Sequence, residues 1–221
     1  EQVKRIYSRY EFAILPVLKF MLAFWTLSIV SGKLGYMYQL DNLGLILIAS
    51  LLCSFLPNGF IILFAVVLSL AHLYALSLEV TIVALAIYVI LFLLLFRFGT
   101  KDSLVVLFTA ICSAIHIPYV VPVAVGLLGG PVSIFAVTCG LVGYHMLHHI
   151  VTNAPAINAM GAEEATAKVR LAIDGVLNNK ELLVMVIAFA VTILVVYFIR
   201  RLSIDYAWTI AMIAGVIVNL V

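Results

Sequence analysis

Charged residues are scarce in this chain: they make up 10% of its 221 residues, whereas hydrophobic residues make up 66% and the mean hydropathy is +1.28. A water-soluble domain of this size has too little interior to hide so much apolar surface. The sequence therefore predicts an all-α integral membrane protein, organised as a single polytopic transmembrane domain over residues 1–221. The formal net charge of +2 is small and spread out, so we expect the lipid bilayer, and no nucleic acid, as a partner.

Cysteine is rare, and the motifs of familiar enzyme classes are missing. The three cysteines, Cys53, Cys112 and Cys139, lie in apolar runs without C-x-x-C spacing, so we interpret them as small core residues. The sequence contains no G-x-S-x-G, no H-E-x-x-H, and no phosphate-binding or dinucleotide-binding glycine pattern. We therefore expect no enzymatic activity, no cofactor and no metal.

Apolar residues are abundant instead, and they fall into about seven to nine segments. Four segments approach the ~20 residues of a membrane-spanning helix: Phe12–Ser31, Glu79–Phe98, Val132–Ile150 and Leu182–Ile199. Others are shorter, so each is either a short tilted helix or part of a re-entrant hairpin: Leu43–Leu56, Phe60–Tyr74 and Leu104–Ile115. A last apolar run covers Ile204–Val221, and residues 161–178 have the periodicity of an amphipathic surface helix.

Two stretches share a plan of short helix, proline, short helix, small-residue break and long helix. Cys53-Ser54 lies four residues before Pro57, and Cys112-Ser113 lies six residues before Pro118. One interpretation is a duplication with repeat units 43–98 and 104–150; because each has three segments, the repeat would be inverted in the membrane. The other interpretation is that apolar segments simply resemble one another in composition.

Basic residues indicate the orientation. With the amino terminus inside the cell, seven of the twelve lysines and arginines lie on the cytoplasmic face: Lys4, Arg5, Arg9, Arg97, Lys101, Arg200 and Arg201. The positive-inside rule therefore favours a cytoplasmic amino terminus, in a cell membrane of the bacterial inner-membrane type. Lys19 lies inside the first span, where it either extends to the interface or acts as a buried functional charge.

Proline and glycine interrupt the apolar segments at two places. Broken helices leave backbone groups unpaired, and at membrane depth only protein or a water-filled cavity can satisfy them. Such breaks form binding sites in secondary transporters, although ordinary connecting loops and close helix packing are alternatives. The candidate substrate path consists of Pro57, Asn58, Ser113, His116, Pro118, Pro122, Gly126, Gly129, Gly130 and Pro131.

Histidines form a second candidate group on the predicted non-cytoplasmic side. His145, His148 and His149 have i, i+3 and i+4 spacing, so their imidazoles share one helical face. They are interpreted as an ordinary polar helix end, as proton-transfer groups, or as metal ligands, although the same helix offers no Cys, Asp or Glu close by. The candidates for proton coupling or gating are His72, Glu79, His145, His148 and His149.

Two functional hypotheses follow from these features. The first is a membrane transporter, permease or channel that moves a small solute or lipid-like molecule through a site formed by broken helices. The second is a non-catalytic scaffold or anchoring subunit of a larger complex, which the apolar runs at Leu182–Ile199 and Ile204–Val221 also fit. Either a homo-oligomer or a complex with another membrane subunit is compatible with the sequence.

Overall fold

The computed structural model describes residues 2–37, 39–40, 42–98, 102–161, 164–203 and 205–220, with side chains between Ile14 and Asn219. These residues contain helices and no strand. The helices are α1 (Gln2–Leu34), α2 (Leu43–Phe55), α3 (Gly59–Leu76), α4 (Leu78–Phe98), α5 (Ser103–Ala114), α6 (Val120–Leu128), α7 (Ser133–Ala159), α8 (Ala165–Leu177), α9 (Lys180–Arg200) and α10 (Ala207–Leu220). The predicted all-α fold is confirmed.

Five stretches of the described chain are long and apolar enough to cross a membrane: Ile14–Leu34, Gly59–Leu76, Leu78–Phe98, Ser133–Ala159 and Ala165–Arg200. They support the predicted multi-pass membrane protein. Three further apolar helices are shorter, namely Leu43–Phe55, Ser103–Ala114 and Ala207–Asn219. The total of seven to nine crossing or re-entrant segments stays a prediction.

Three helices differ from their predicted segments. The segment Phe60–Tyr74 was predicted to be either a short tilted helix or part of a re-entrant hairpin, and α3 is longer than that segment, because it begins at Gly59, directly after the Pro57 turn, and has 18 residues. Helix α7 continues to Ala159 although Pro155 removes one backbone hydrogen bond. Helix α1 begins at Gln2 instead of Phe12.

Several residues used in the sequence predictions lie outside the described part. They are Lys101, Ala162, Glu163, Ile204 and Val221, together with the side chains of Lys4, Arg5 and Arg9. The predicted surface helix 161–178 corresponds to α8, which has thirteen residues.

The chain divides into two compact units, Glu1–Leu78 and Glu79–Val221. In the first unit, α1 packs against α2 and α3 around a core of Leu27, Ile46 and Leu68. The first predicted repeat unit, 43–98, extends across the boundary between the two units. The middle helices of the two predicted copies, α3 and α6, have 18 and nine residues. The inverted repeat stays a prediction.

In the second unit the helices form two closely packed groups. Helix α5 packs along α7, and a Cβ on Gly140 of α7 would lie only 2.7 Å from Cβ of Thr109. Helix α9 packs with α6 and α10, where a Cβ on Gly126 or Gly215 would lie 2.7 or 2.6 Å from the Val196 side chain. Small residues therefore set the helix spacing within the α5–α7 pair and within the α9 group.

An apolar core joins the two groups. Its buried residues come from α5, α6, α7 and α9: Cys112, Val121, Val125, Val137, Leu141, Leu182, Phe189 and Ile193. The halves of the predicted broken-helix region thus belong to different groups, α5 to the α5–α7 pair and α6 to the α9 group.

Candidate functional site

The end of α5 begins the break in the second unit. The N–H of Ile117 donates to the carbonyl of Cys112 (2.9 Å), and the N–H of His116 donates to that of Ser113 (3.2 Å). These two bonds close the helix in a Schellman motif. His116 has φ 63°, in the left-handed position that glycine usually occupies. Its side chain is exposed.

Helix α6 follows at once and is the shortest helix of the unit's described part. The N–H of Val121 donates to the Pro118 carbonyl (3.1 Å), and Pro122 is buried in the first turn, where proline is tolerated. Residues 115–119, which connect α5 to α6, are called the tip. The predicted break around Pro118 is therefore a turn between two short helices.

The other ends of α5 and α6 meet at a set of polar contacts. Oγ of Ser133, the first residue of α7, donates to Oδ2 of Asp102, which precedes α5 (2.7 Å). Nη2 of Arg200 donates to the carbonyl of Gly129 at the end of α6 (3.1 Å), where a cation suits the helix dipole. We call Asp102, Gly129, Gly130, Ser133 and Arg200 the base. Because the N–H of Gly130 also donates to Oγ of Ser133 (3.5 Å), the end of α6 lies beside the start of α5, and the two helices form a hairpin.

At the tip, a side-chain amide connects three elements. Oδ1 of Asn219 in α10 accepts from Oγ1 of Thr192 in α9 (3.1 Å), and its Nδ2 donates to the backbone carbonyl of Tyr119 (3.3 Å). Thr192 is fully buried. The amide therefore adds a side-chain donor to the carbonyl of Tyr119, the N-cap residue of α6, and connects α6 to α9 and α10.

The position of Thr192 along α9 shows how far this contact lies from each end of that helix. Its 21 residues make it about 31 Å long, close to the ~30 Å thickness of the hydrocarbon core. Thr192 lies about 18 Å from the Lys180 end and about 12 Å from the Arg200 end at ~1.5 Å per residue. The tip is thus level with the middle of α9, a helix long and apolar enough to cross a membrane, and the base is level with its Arg200 end.

The predicted glycine and serine residues of the path have different surroundings. Gly126 faces Val196 of α9 and serves close packing, the alternative considered for it. Oγ of Ser113 is buried and donates to the carbonyl of Thr109 (2.8 Å). A Cβ on Gly130 would meet nothing within 4 Å. Next to it, Pro131 accepts at its carbonyl from the N–H of Ile134 (3.2 Å).

Pro57 and Asn58 belong to the first unit, where they turn the chain from α2 into α3. Oγ of Ser54 donates to the carbonyl of Pro16 (2.7 Å), and Nζ of Lys19 donates to that of Leu56 (3.3 Å). The ammonium of Lys19 thus caps the C-terminal end of α2. This turn lies beside the first turns of the α1 span, which begins at Ile14, and not beside its middle.

The three histidines of α7 contact different neighbouring residues. His145 is close enough to Glu181 for an electrostatic interaction. His148 is exposed and stacks on Tyr144 with ring centroids 5.7 Å apart. His149 packs against Gly175 of α8, where any Cβ would overlap its ring. Among the described residues, no group of three or more His, Cys, Asp or Glu side chains can hold a metal ion.

The remaining coupling candidates lie in separate units. His72 is fully buried in α3, and its Nδ1 accepts from the backbone N–H of Met37 (3.2 Å). Glu79 is in the first turn of α4, where a carboxylate suits the helix dipole. The role of both residues in proton coupling stays a prediction.

Four residues of the candidate site were missed in the sequence: Asp102, Thr192, Arg200 and Asn219. Asn219 gave a usable signal, since a polar amide inside an apolar run is costly in a membrane. No family model, curated protein or solved structure matches the chain. The geometry of the α5–α6 hairpin is therefore the basis for the functional proposal.

Proposed function

We propose that the protein is a membrane transporter, permease or channel, and that its substrate crosses along the α5–α6 hairpin. The observation that carries this proposal is the polar tip level with the middle of α9, where Asn219 binds the carbonyl of Tyr119. Irregular backbone at membrane depth is sustained where it is buried in protein or lines a cavity. Discontinuous helices form the substrate sites of many secondary transporters.

A re-entrant hairpin fits the helix lengths. Helices α5 and α6 have twelve and nine residues, about 18 and 14 Å, which is less than the ~30 Å of the hydrocarbon core. We propose that the hairpin enters the membrane from the base side and turns at mid-depth. Arg97, Arg200 and Arg201 end helices on this side, so the positive-inside rule makes it cytoplasmic, together with the amino terminus.

The two helix groups suggest how the path opens. The Asp102–Ser133 bond lies within the α5–α7 pair, whereas the Arg200–Gly129 bond lies within the α9 group. Movement of one group against the other would separate α5 from α6 and leave these bonds intact. Such rigid-body motion requires hinges, for which the tip and residues 129–132 are suited. Proton coupling or gating by His72, Glu79, His145, His148 and His149 is part of the proposal, and the electrostatic interaction between His145 and Glu181 supports it for His145.

Labelling of a substituted cysteine tests this path without knowledge of the substrate. We would replace the three native cysteines by alanine, introduce His116→Cys and treat proteoliposomes with a charged, water-soluble thiol reagent. A water-filled path predicts rapid labelling at the tip. The matched control is Ile90→Cys on α4, which is 64% exposed and faces lipid in this proposal, so it should stay unlabelled. A tip cysteine as unreactive as the control would refute the path.

One observation, on the exposed face of α4, supports the scaffold hypothesis. Exposed apolar residues on α4 recur at alternating intervals of four and three, a spacing typical of helix–helix seams: Leu78, Ile82, Leu85, Val89, Phe92 and Phe96. This face fits a helix of another subunit as well as lipid. Purification in mild detergent separates the two functions, because a scaffold would retain a stoichiometric partner and a carrier would elute as a monomer or homodimer.

A further inference from the structure

Beside the tip, whose titratable groups are His116 and Tyr119, the amide of Asn219 offers neutral hydrogen-bonding groups. We propose that this amide, oriented by the buried hydroxyl of Thr192, recognises a small, uncharged, hydrogen-bonding solute. This inference rests on the proposed function, since it names the substrate class of the same path.

The orientation of the Asn219 amide follows from its two neighbours. The carbonyl of Tyr119 can only accept, so Nδ2 must face it and Oδ1 must face the hydroxyl of Thr192. That hydroxyl has one proton, which it shares between Oδ1 and the Ala188 carbonyl 2.8 Å away. These contacts use one of the two amide N–H groups. A donor and several acceptor lone pairs are left for a solute.

Formal charge is confined to the ends of the surrounding helices. In the described residues, α5, α6, α7 and α10 contain no Asp, Glu, Lys or Arg, and α9 carries them only at Lys180, Glu181 and Arg200. An ion at Asn219 would lose its hydration without gaining an Asp, Glu, Lys or Arg partner from these helix interiors, which is costly in an apolar surrounding. An uncharged polar solute needs only hydrogen bonds, and the tip supplies them.

Helices α6, α9 and α10 pack closely one turn from Asn219. Thr192 is fully buried, and a Cβ on Gly215 would already touch its Cγ2 at 3.7 Å. The Val123 side chain lies 3.1 Å from the same Cβ position. This packing holds Thr192 in place beside Asn219.

Stopped-flow light scattering on proteoliposomes of the full chain tests this inference with glycerol and urea as uncharged probes. We expect uptake above that of empty liposomes, and a fall of about fivefold or more in Asn219→Leu, which keeps the size of the side chain and removes its hydrogen bonds. Thr192→Val should have the same effect with less risk to folding. The matched control is Asn153→Leu, whose amide donates to the His149 carbonyl far from the tip and should leave uptake unchanged.

Charged probes show which proposal fails. Potassium and glutamate should not cross. If either ion crosses while glycerol and urea do not, the proposed solute class is wrong. Rapid labelling of His116→Cys would then show that the path along the hairpin still holds. Uptake of glycerol that Asn219→Leu and Thr192→Val leave unchanged, or no uptake of any probe, would also overturn the solute class. Loss of labelling at the tip would instead overturn the proposed function.

Discussion

At the scale of single residues, His116 occupies a backbone conformation that costs energy. Its φ of 63° brings Cβ close to the following carbonyl, at a cost of roughly 1–2 kcal/mol for a residue other than glycine. Such strain is retained where the surrounding structure or the function requires the side chain. Stability alone therefore does not explain why a histidine, and not a glycine, occupies this position of the tip.

Replacing His116 by glycine should stabilise the protein. The change relieves the left-handed strain, so we expect a gain of about 0.5–1 kcal/mol in the free energy of unfolding, measured by denaturation in detergent. The control is Ala110→Gly in the interior of α5, which should cost about 1 kcal/mol. If both variants lose the same amount, His116 is not strained.

The residues of the tip and base differ in how far the sequence reveals them. Pro118, Gly129 and Gly130 were predicted as a break because proline and glycine act locally on the backbone. The pairing of Asn219 with Tyr119, 100 residues apart, depends on where α10 meets α6. Lys19 was predicted to reach the interface or to carry a functional charge. Its hydrogen bond to the Leu56 carbonyl could not be predicted, because the sequence does not show where the end of α2 lies relative to α1.

At the scale of helices, spacing is set by glycine where two helices touch. Gly140 and Gly143 both lie on α7, yet a Cβ on Gly140 would meet α5 and one on Gly143 would meet nothing within 4 Å. In the sequence the two glycines lie three residues apart, so a helix places them near the same face. Periodicity alone cannot tell which of them faces a neighbour, because that depends on the position of α5.

Alanine substitutions separate these two glycines. Gly140→Ala should lower the free energy of unfolding by about 1–3 kcal/mol, because its Cβ would lie 2.7 Å from the Val106 carbonyl oxygen. Gly143→Ala should raise it by up to about 1 kcal/mol, because alanine is the better helix former. Thermal unfolding of both variants in the same detergent measures the difference. Equal effects would mean that α5 does not pack on Gly140.

Helix lengths were predictable within limits that have physical causes. The segment Leu104–Ile115 was predicted as short, and α5 is short, because Pro118 and the base residues interrupt the chain on both sides. Helix α7 was predicted to end at Ile150, since the sequence becomes polar there. It continues to Ala159, with Thr152 and Asn153 donating to the carbonyls one turn earlier.

At the scale of the whole molecule, composition alone was enough to predict an all-α fold with several membrane-capable helices. The division into two units, and of the second unit into two helix groups, was not visible in the sequence. Both depend on contacts between distant helices that have nearly the same apolar composition. The proposed function requires that α5 and α6 enter the membrane and turn back at mid-depth.

Measuring the depth of the tip tests this claim most directly. A fluorophore attached at His116→Cys would be quenched by lipids brominated either near the headgroup or deep in the acyl chain, with Gly130→Cys as the control at the base. A re-entrant hairpin predicts strongest quenching of the tip by deep bromines and of the base by shallow ones. Strongest quenching of both positions by shallow bromines would contradict it, because α5 and α6 would then cross the membrane or lie at its surface.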